Sequence, residues 1–561
     1  MIRSVIADWK ILLTDKYSLK ILSAACKMHN ILEENVTLVE DISKKRQPYV
    51  QMDAIYFISP IESSVQQAIN DFRGQPLYAA AHFFFIGAVS DELFQLISSN
   101  NIKQYIRNFK EMYIDFVAIE ARVFSFDMPN IIPELYSSQS TFKDMNLNVC
   151  SRKLLSLCAT LQDIPNIRYY SSQDTMISPK IAALLQDELD EYKKHVGDYD
   201  SGTLLILDRS WVAITPFVHE YTYQAMACDL LDIENDRYTY TETSTKTKKQ
   251  AVIDETDPLW IEYRHTHIAE CISGIKSSFD KFMHDNKGLA SNTKDARSLN
   301  EMKNTLNSLP QFQEKKARFA VHLNMAQECM SMFEKMQLPL VSGVEQDIVT
   351  GFASDGSVVK DCMNELVGIL TNPSIDRNEK LKLIILYIVC RDGISNEKKQ
   401  KITQAANLNS QELALISNLT LLGLKVVKDK HSQTRLRVQQ QKKGSSEYEL
   451  SRYTPPLKQI IRSCVNNTLD ATIFPYIKNP GSISQRPVAS LRSARPKWQS
   501  RSKAKGFSGN RLIVFVAGGL TFSEIREVYK LSEELQREII IGATEILTPN
   551  SFLQSVRELK K

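Results

Sequence analysis

Short apolar runs alternate with stretches of helical spacing from the N-terminus onward, and this alternation restricts the chain to parallel sheets with crossover helices. The runs lie at 11–13, 36–39, 54–58 and 82–88, and helices are predicted over 17–29, over 63–72 and from Ser90-Asp91. A second α/β unit is expected from about Tyr113, with strands near 114–119, 123–126 and 204–207 and a helix near 153–162. From about 222 to 478 the spacing turns mostly helical. It then reverts to a strand at 511–517, a Gly518-Gly519 turn, a helix at 523–534 and a strand at 538–542. The expected fold class is therefore α/β plus a large helical region: an α/β domain over 1–113, a discontinuous α/β domain over 114–221 and 479–561, and a mainly helical domain over 222–478 inserted into it. No internal repeat of solenoid period is present.

At 561 residues the chain has room for three or four domains. Sixty-nine Lys and Arg against sixty-five Asp and Glu leave a net charge of +4, so bulk charge demands no nucleic acid and any electrostatic function is local. Nine cysteines without a C-x-x-C pair point to a reducing compartment. The N-terminal MIRSVIADWKILLTD lacks the uninterrupted apolar core of a signal peptide, and the longest apolar run, at 383–390, is too short to cross a bilayer and reads as buried helix. A soluble, cytosolic protein is expected. Two basic segments, 428–445 and 481–511, read as loops; the second holds only Trp498 and Phe507 as aromatics, too few to stack on bases, so an anionic lipid is its more plausible ligand.

The stretch LDRSWVAITPFVHEYTYQAM, Leu207 to Met226, carries Asp208, Arg209, Thr215, His219 and Glu220, which raises the alternative of an α/β enzyme. No G-x-S-x-G elbow accompanies it, and the charges read as braces of a strand-to-helix junction. His265 and His267 lack the third and fourth ligands zinc requires. VAGGLTFSE at 516–524 has neither G-x-G-x-x-G nor a P-loop lysine, so close packing of the turn outweighs phosphate binding. Neither catalytic residues, cofactor nor metal is expected.

The strings LDRSWVAITPFVHEYTYQAMACDLL, LWIEYRHTHIAE, LPQFQEKKARFAVHLNMAQECM, VEQDI, LILYIVCRDGIS, LSRYTPPLKQII and LIVFVAGGLTFSEIREVY occur in this order. Together they resemble the syntaxin-binding SM (Sec/Munc-type) family of membrane-fusion regulators, most closely its exocytic branch. The resemblance implies a three-domain arch that clasps a syntaxin-type SNARE in a 1:1 complex between its first and third domains and engages a vesicle SNARE, or the assembled SNARE bundle, on a helical hairpin. It implies a cytoplasmic protein, peripheral at plasma or secretory membranes through syntaxin, acting in vesicle docking and exocytosis. The family commonly has Gly-Phe-Asp-Pro after Leu-Asp-Arg where this chain has Ser210-Trp211-Val212-Ala213. The chain also starts without most of the family's first amphipathic helix.

Carried over residue by residue, Asp15, Lys20, Lys27 and Glu40 match positions that contact the syntaxin core. From composition alone these charges, with Lys16, Lys44, Lys45 and Arg46, form a solvated mixed-charge face. Phe94, Phe109 and Glu111 match the pocket for the syntaxin N-terminal peptide; the plain alternative makes both phenylalanines core. The segment 298–336 carries a stripe at Leu299, Met302, Leu306 and Leu309 that continues beyond Pro310 at Ala320, Leu323, Gln327 and Met330, which suits the two helices of a hairpin. Met325, Met330, Met332 and Met336 would give a deformable surface. Pro310 is expected to act as its hinge, with a vesicle SNARE running along Leu323.

Overall fold

A computed structural model describes residues 1–171, 175–196, 199, 201–241, 247–286, 299–428, 448–479 and 509–561, with side chains from Pro310 onward in the helix that begins at Leu299. Apart from Lys428 and residues 509–511, the two basic segments lie outside the described residues, as do the side chains of Leu299, Met302, Leu306 and Leu309. The chain divides into two compact units. One is Met1–Trp211 with Arg462–Leu520 and Val528–Ile546; the other is Val212–Ile461 with Thr521–Glu527 and Leu547–Lys561. The passage from one to the other thus falls inside the Leu207–Met226 stretch.

The first unit holds two sheets. Five parallel strands, β1 (Lys10–Thr14), β2 (Val36–Asp41), β3 (Tyr49–Ile58), β4 (Tyr78–Phe85) and β5 (Ile106–Glu111), are ordered β2-β1-β3-β4-β5. The crossovers carry helices α1 (Lys16–Ala25), α2 (Met28–Leu32), α3 (Glu62–Asn70) and α4 (Asp91–Ser98). Covered on both faces, the inner strands lose polar alternation and read as apolar runs. Successive residues still point to opposite sides: Ile11, Leu13, Tyr56, Phe83 and Phe85 enter one core, and Leu12, Ile55, Phe57 and Phe84 the other.

The second sheet has six strands, in order β6 (Val117–Glu120), β7 (Val123–Ser125), Ile539–Ala543, Leu512–Ala517, Thr203–Asp208 and Asn166–Tyr169. Only β6 and β7 run antiparallel. Two strands from the C-terminal part of the chain therefore sit in its middle. At the turn after Leu512–Ala517, Gly518 has φ +91°, and a Cβ there would lie 3.1 Å from Arg209 Cγ and 3.2 Å from a Tyr136 ring carbon. Close packing is what the glycine serves.

Glu545, beyond the strand Ile539–Ala543, accepts the Asn130 N–H at 3.2 Å on Oε2, while its shielded Oε1 has no hydrogen-bond partner. Burial lifts its carboxyl to about 7 against the pull of the Asn130 and Ile131 N–H groups. Folding thus favours the protonated form, and the contribution is complete below the unfolded pKa of about 4.3 and lost as pH rises through 7. Between pH 5 and pH 8, wild type is expected to lose up to about 2–3 kcal/mol relative to Glu545→Gln. Melting temperatures of both proteins across that range check it.

The second unit is mainly helical, but three antiparallel strands, Ile233–Glu234, Arg237–Thr241 and Lys248–Val252, interrupt the region predicted as helical. The hairpin expectation also needs correcting. Leu299–Lys335 is one helix that continues through Pro310, and its antiparallel neighbour is the preceding helix, Ile268–Asp285. Phe282 stacks on Phe312 with centroids 5.1 Å apart, and Phe279 meets Phe319 at 5.5 Å. Pro310 removes one helical hydrogen bond, at a cost of about 3 kcal/mol, yet it is exposed and the helix runs on through it. All of the apolar run at 383–390 but its last residue, the cap Cys390, lies in the helix Arg377–Val389, where burial extends to Glu379, Lys380 and Lys382.

Candidate functional site

In an open parallel sheet of this order, ligands take the crevice beyond the carboxyl ends of β1 and β3, where the winding reverses. Here Asp15 fills that place. Its Oδ1 accepts the Ser18 N–H at 2.8 Å and the Ser59 hydroxyl at 3.1 Å; Oδ2 accepts the Ser59 N–H at 2.6 Å and the Ser64 hydroxyl at 3.0 Å. The carboxylate caps α1 and ties it to the segment leading into α3. It works as an internal brace.

Lys20, one turn along α1, pairs with Asp127 at 2.7 Å. Lys27 is exposed at the start of α2. Glu40 lies on the edge strand β2, and its shielded Oε2 has no hydrogen-bond partner. Arg46 departs from the solvated face predicted for it. Its side chain is 4% exposed, donates to the carbonyls of Asp41, Ile42 and Lys44, and pairs with Asp71, whose other oxygen takes the Tyr56 hydroxyl at 2.8 Å. Arg46 therefore clips the β2–β3 loop that presents the exposed Lys44 and Lys45.

On the far side of this sheet the structure brings Phe94, Phe109 and Glu111 together. Phe94 on α4 is 54% exposed and meets Phe109 of β5 edge-on, with centroids 5.7 Å apart. Phe109 is partly buried against the core, so the core alternative holds for its inner side and fails for Phe94. Glu111 is held by the Val89 N–H at 2.8 Å and the Tyr113 hydroxyl at 3.0 Å. An exposed aromatic edge beside an oriented carboxylate suits a short peptide that offers one apolar and one basic side chain.

Asp208, Arg209 and His219 of the Leu207–Met226 stretch belong to two separate networks, while Thr215 bonds the Tyr453 hydroxyl at 2.9 Å and Glu220 pairs with Arg526 at 2.9 Å. Asp208 accepts from the Ser178 hydroxyl at 2.8 Å, the Ser210 N–H at 2.9 Å and the Ser210 hydroxyl, while Arg209 donates to Gly519 O and its N–H goes to the Tyr136 hydroxyl at 2.7 Å. Trp211 packs on Tyr170 and Phe474. In the second unit His219 donates to Glu345 at 2.7 Å, lies 3.2 Å from Glu379, and neighbours Lys382, which pairs with Glu379 at 2.7 Å. These side chains are at most 3% exposed. A cavity of about 20 Å³ lined by Thr215, Pro216, Glu220 and Asp229 admits no more than a water. His267 caps the helix Ile268–Asp285. Among the described residues no group of three His, Cys, Asp or Glu could hold a metal.

The model of the Sec1 family matches residues 10–555. The chain belongs to the Sec1 family. It is 33% identical over 585 residues to the protein transport protein sec1 of Dictyostelium discoideum, covering all of this chain and 97% of that one. It is 33% identical to the protein transport protein sec1 of Schizosaccharomyces pombe, over 97% of this chain and 81% of that one. Among solved structures, the Unc18–syntaxin 1 complex from Monosiga brevicollis matches with TM-score 0.87 and 31% identity, covering 100% of this chain and 97% of the matched chain.

In the long helix of this Sec1-family chain, Phe312, Phe319, His322, Met325, Ala326 and Cys329 form the inward face. Met325 is thus core, not part of a deformable surface. Ala320 and Gln327 are exposed, while Leu323 and Met330 are half-buried and packed against the core, so the stripe predicted for a partner flanks the inward face. His322, which sequence reasoning passed over, bridges Asp257 at 3.0 Å and the Tyr223 hydroxyl at 2.8 Å.

Proposed function

We propose that this chain is a SNARE-binding regulator of vesicle docking and fusion that clasps a syntaxin-type SNARE and assists SNARE assembly in exocytosis. One observation carries the reading: end-to-end similarity, at 31% identity, to a chain solved in a complex with syntaxin 1. The local geometry supports it. Lys20, Lys27 and Glu40 set register with the syntaxin core, Asp15 and Arg46 hold the backbone that presents them, and Phe94, Phe109 and Glu111 take the N-terminal peptide. Charged contacts of this kind govern partner choice and association rate more than affinity. The activity is binding and needs no cofactor or covalent step. Among the described residues no helix is long and apolar enough to cross a membrane, which suits a cytoplasmic protein recruited through its SNARE. Titration of the purified chain with syntaxin cytoplasmic fragments tests this reading.

The long helix supplies the second binding element of the proposal. A vesicle-SNARE helix would lie along Ala320, Leu323, Gln327 and Met330, with Pro310 setting the balance between the extended helix seen here and a bent one. Pro310→Ala restores the missing hydrogen bond and favours the extended form. Several-fold tighter binding of a vesicle-SNARE cytoplasmic helix is expected, and equal affinities would remove the hinge from the account.

A further inference from the structure

Lys20 is already occupied in the unpartnered chain. Its Nζ lies 2.7 Å from Asp127 Oδ1, with the two side chains 39% and 34% exposed. The two ends of the pair differ in freedom. Asp127 follows β7 with φ at 53°, and its N–H bonds Ser125 Oγ at 3.1 Å. Its neighbours are tied to the adjacent strand, Phe126 N–H to Ala543 O and Met128 N–H to Thr544 O, both at 2.9 Å. The Tyr17 hydroxyl adds a bond to Phe126 O at 3.3 Å. The carboxylate is thereby fixed through its backbone, whereas the Lys20 ammonium ends a flexible four-carbon stem.

We infer that Asp127 is a built-in competitor for Lys20: an acidic side chain of a partner reaches the ammonium only by taking it from Asp127, whose own charge repels the newcomer. This rests on the reading that α1 faces a SNARE. The consequence is selectivity. A surface that is merely acidic exchanges one half-exposed carboxylate for another and gains little. A helix that also packs along α1, where the small residues Ser23 and Ala24 are exposed beside Lys20, gains enough from those contacts to displace the pair. Asp127 thus filters for shape through charge, acting from the second sheet on a contact presented by the first.

The test uses the full chain and the tightest binder from a panel of recombinant syntaxin cytoplasmic fragments, at about 0.1 M salt where surface charges still act. Asp127→Asn, which keeps the shape and removes the charge, is expected to tighten binding about three- to fivefold with an unchanged melting temperature. In a Lys20→Met background the same substitution is expected to have no effect. Equal or weaker binding by Asp127→Asn, while Lys20→Met weakens it, overturns the competitor and leaves the SNARE reading standing. Tightening that persists without Lys20 also overturns it, because the pair is then irrelevant. Failure of wild type to bind any fragment overturns the SNARE reading itself.

Discussion

Glu345→Ala is expected to destabilise the second unit by about 3–5 kcal/mol, the range observed when one partner of a buried ion pair is removed. Glu345 is fully buried and bonds His219 twice, at the backbone N–H (2.9 Å) and at Nδ1 (2.7 Å). Burial and the Lys382 ammonium oppose protonation of His219, but Glu345 and Glu379 outweigh them and raise it to about 10. Its folded pKa thus exceeds the unfolded value near 6.5, so the stabilisation is complete below that value and is lost as pH rises through 10. Burial works against Glu379 as well, yet His219 and Lys382 bring it down to about 2, so its own contribution fails only in strong acid. Without Glu345 the imidazolium keeps one carboxylate and a competing ammonium. A melting temperature lower by on the order of 10 °C follows at pH 7, and the gap to wild type should close toward pH 10. A variant as stable as wild type at pH 7 would show that this cluster does not hold the unit together.

Phe94→Glu is expected to weaken binding of a syntaxin N-terminal peptide by about 30-fold or more, the effect of losing an aromatic anchor worth about 2 kcal/mol or more. Phe94 lies outside the core cluster that Phe109 packs against, and more than half of its surface faces solvent. The substitution should therefore leave the melting temperature nearly unchanged. The added carboxylate would join Glu111 in a site left with two negative charges and only the partly buried Phe109 as an apolar contact. Unchanged peptide affinity would remove the pocket from the account. Loss of folding would return Phe94 to the core.

The sheets were legible where both faces are covered, because the buried parts of β1, β3 (Ala54–Ile58) and β4 and the strand Leu512–Ala517 are almost wholly apolar. Among the edge strands, β2 and β6 still carry apolar residues and were readable, and the other two were not. β5 reads IRNFKE and the strand Asn166–Tyr169 reads NIRY, each at the end of its sheet and partly open to water, so no apolar run marks them. The strand Lys248–Val252, mostly exposed, was lost in a helical background for the same reason.

At the site, position along the chain was readable but burial of charge was not. Arg46, Asp15, Glu345, Glu379 and Lys382 look like solvated charges in sequence, since such residues are rarely buried unless paired. Their partners come from residues 25 to 163 positions away, or from a neighbouring turn, and no local pattern encodes that pairing. Pro310 misled in the opposite direction. Proline most often ends a helix, and only the tertiary packing of Phe312 and Phe319 on Phe279 and Phe282 shows why this one continues.

The central claim is that this chain exists to hold the helices of a SNARE, and calorimetric titration of the purified protein with syntaxin cytoplasmic fragments tests it most directly. A 1:1 complex with at least one fragment is expected, weakened by Lys20→Met and, for fragments that retain the N-terminal peptide, by Phe94→Glu. Absence of heat and of co-elution with every fragment offered would contradict it.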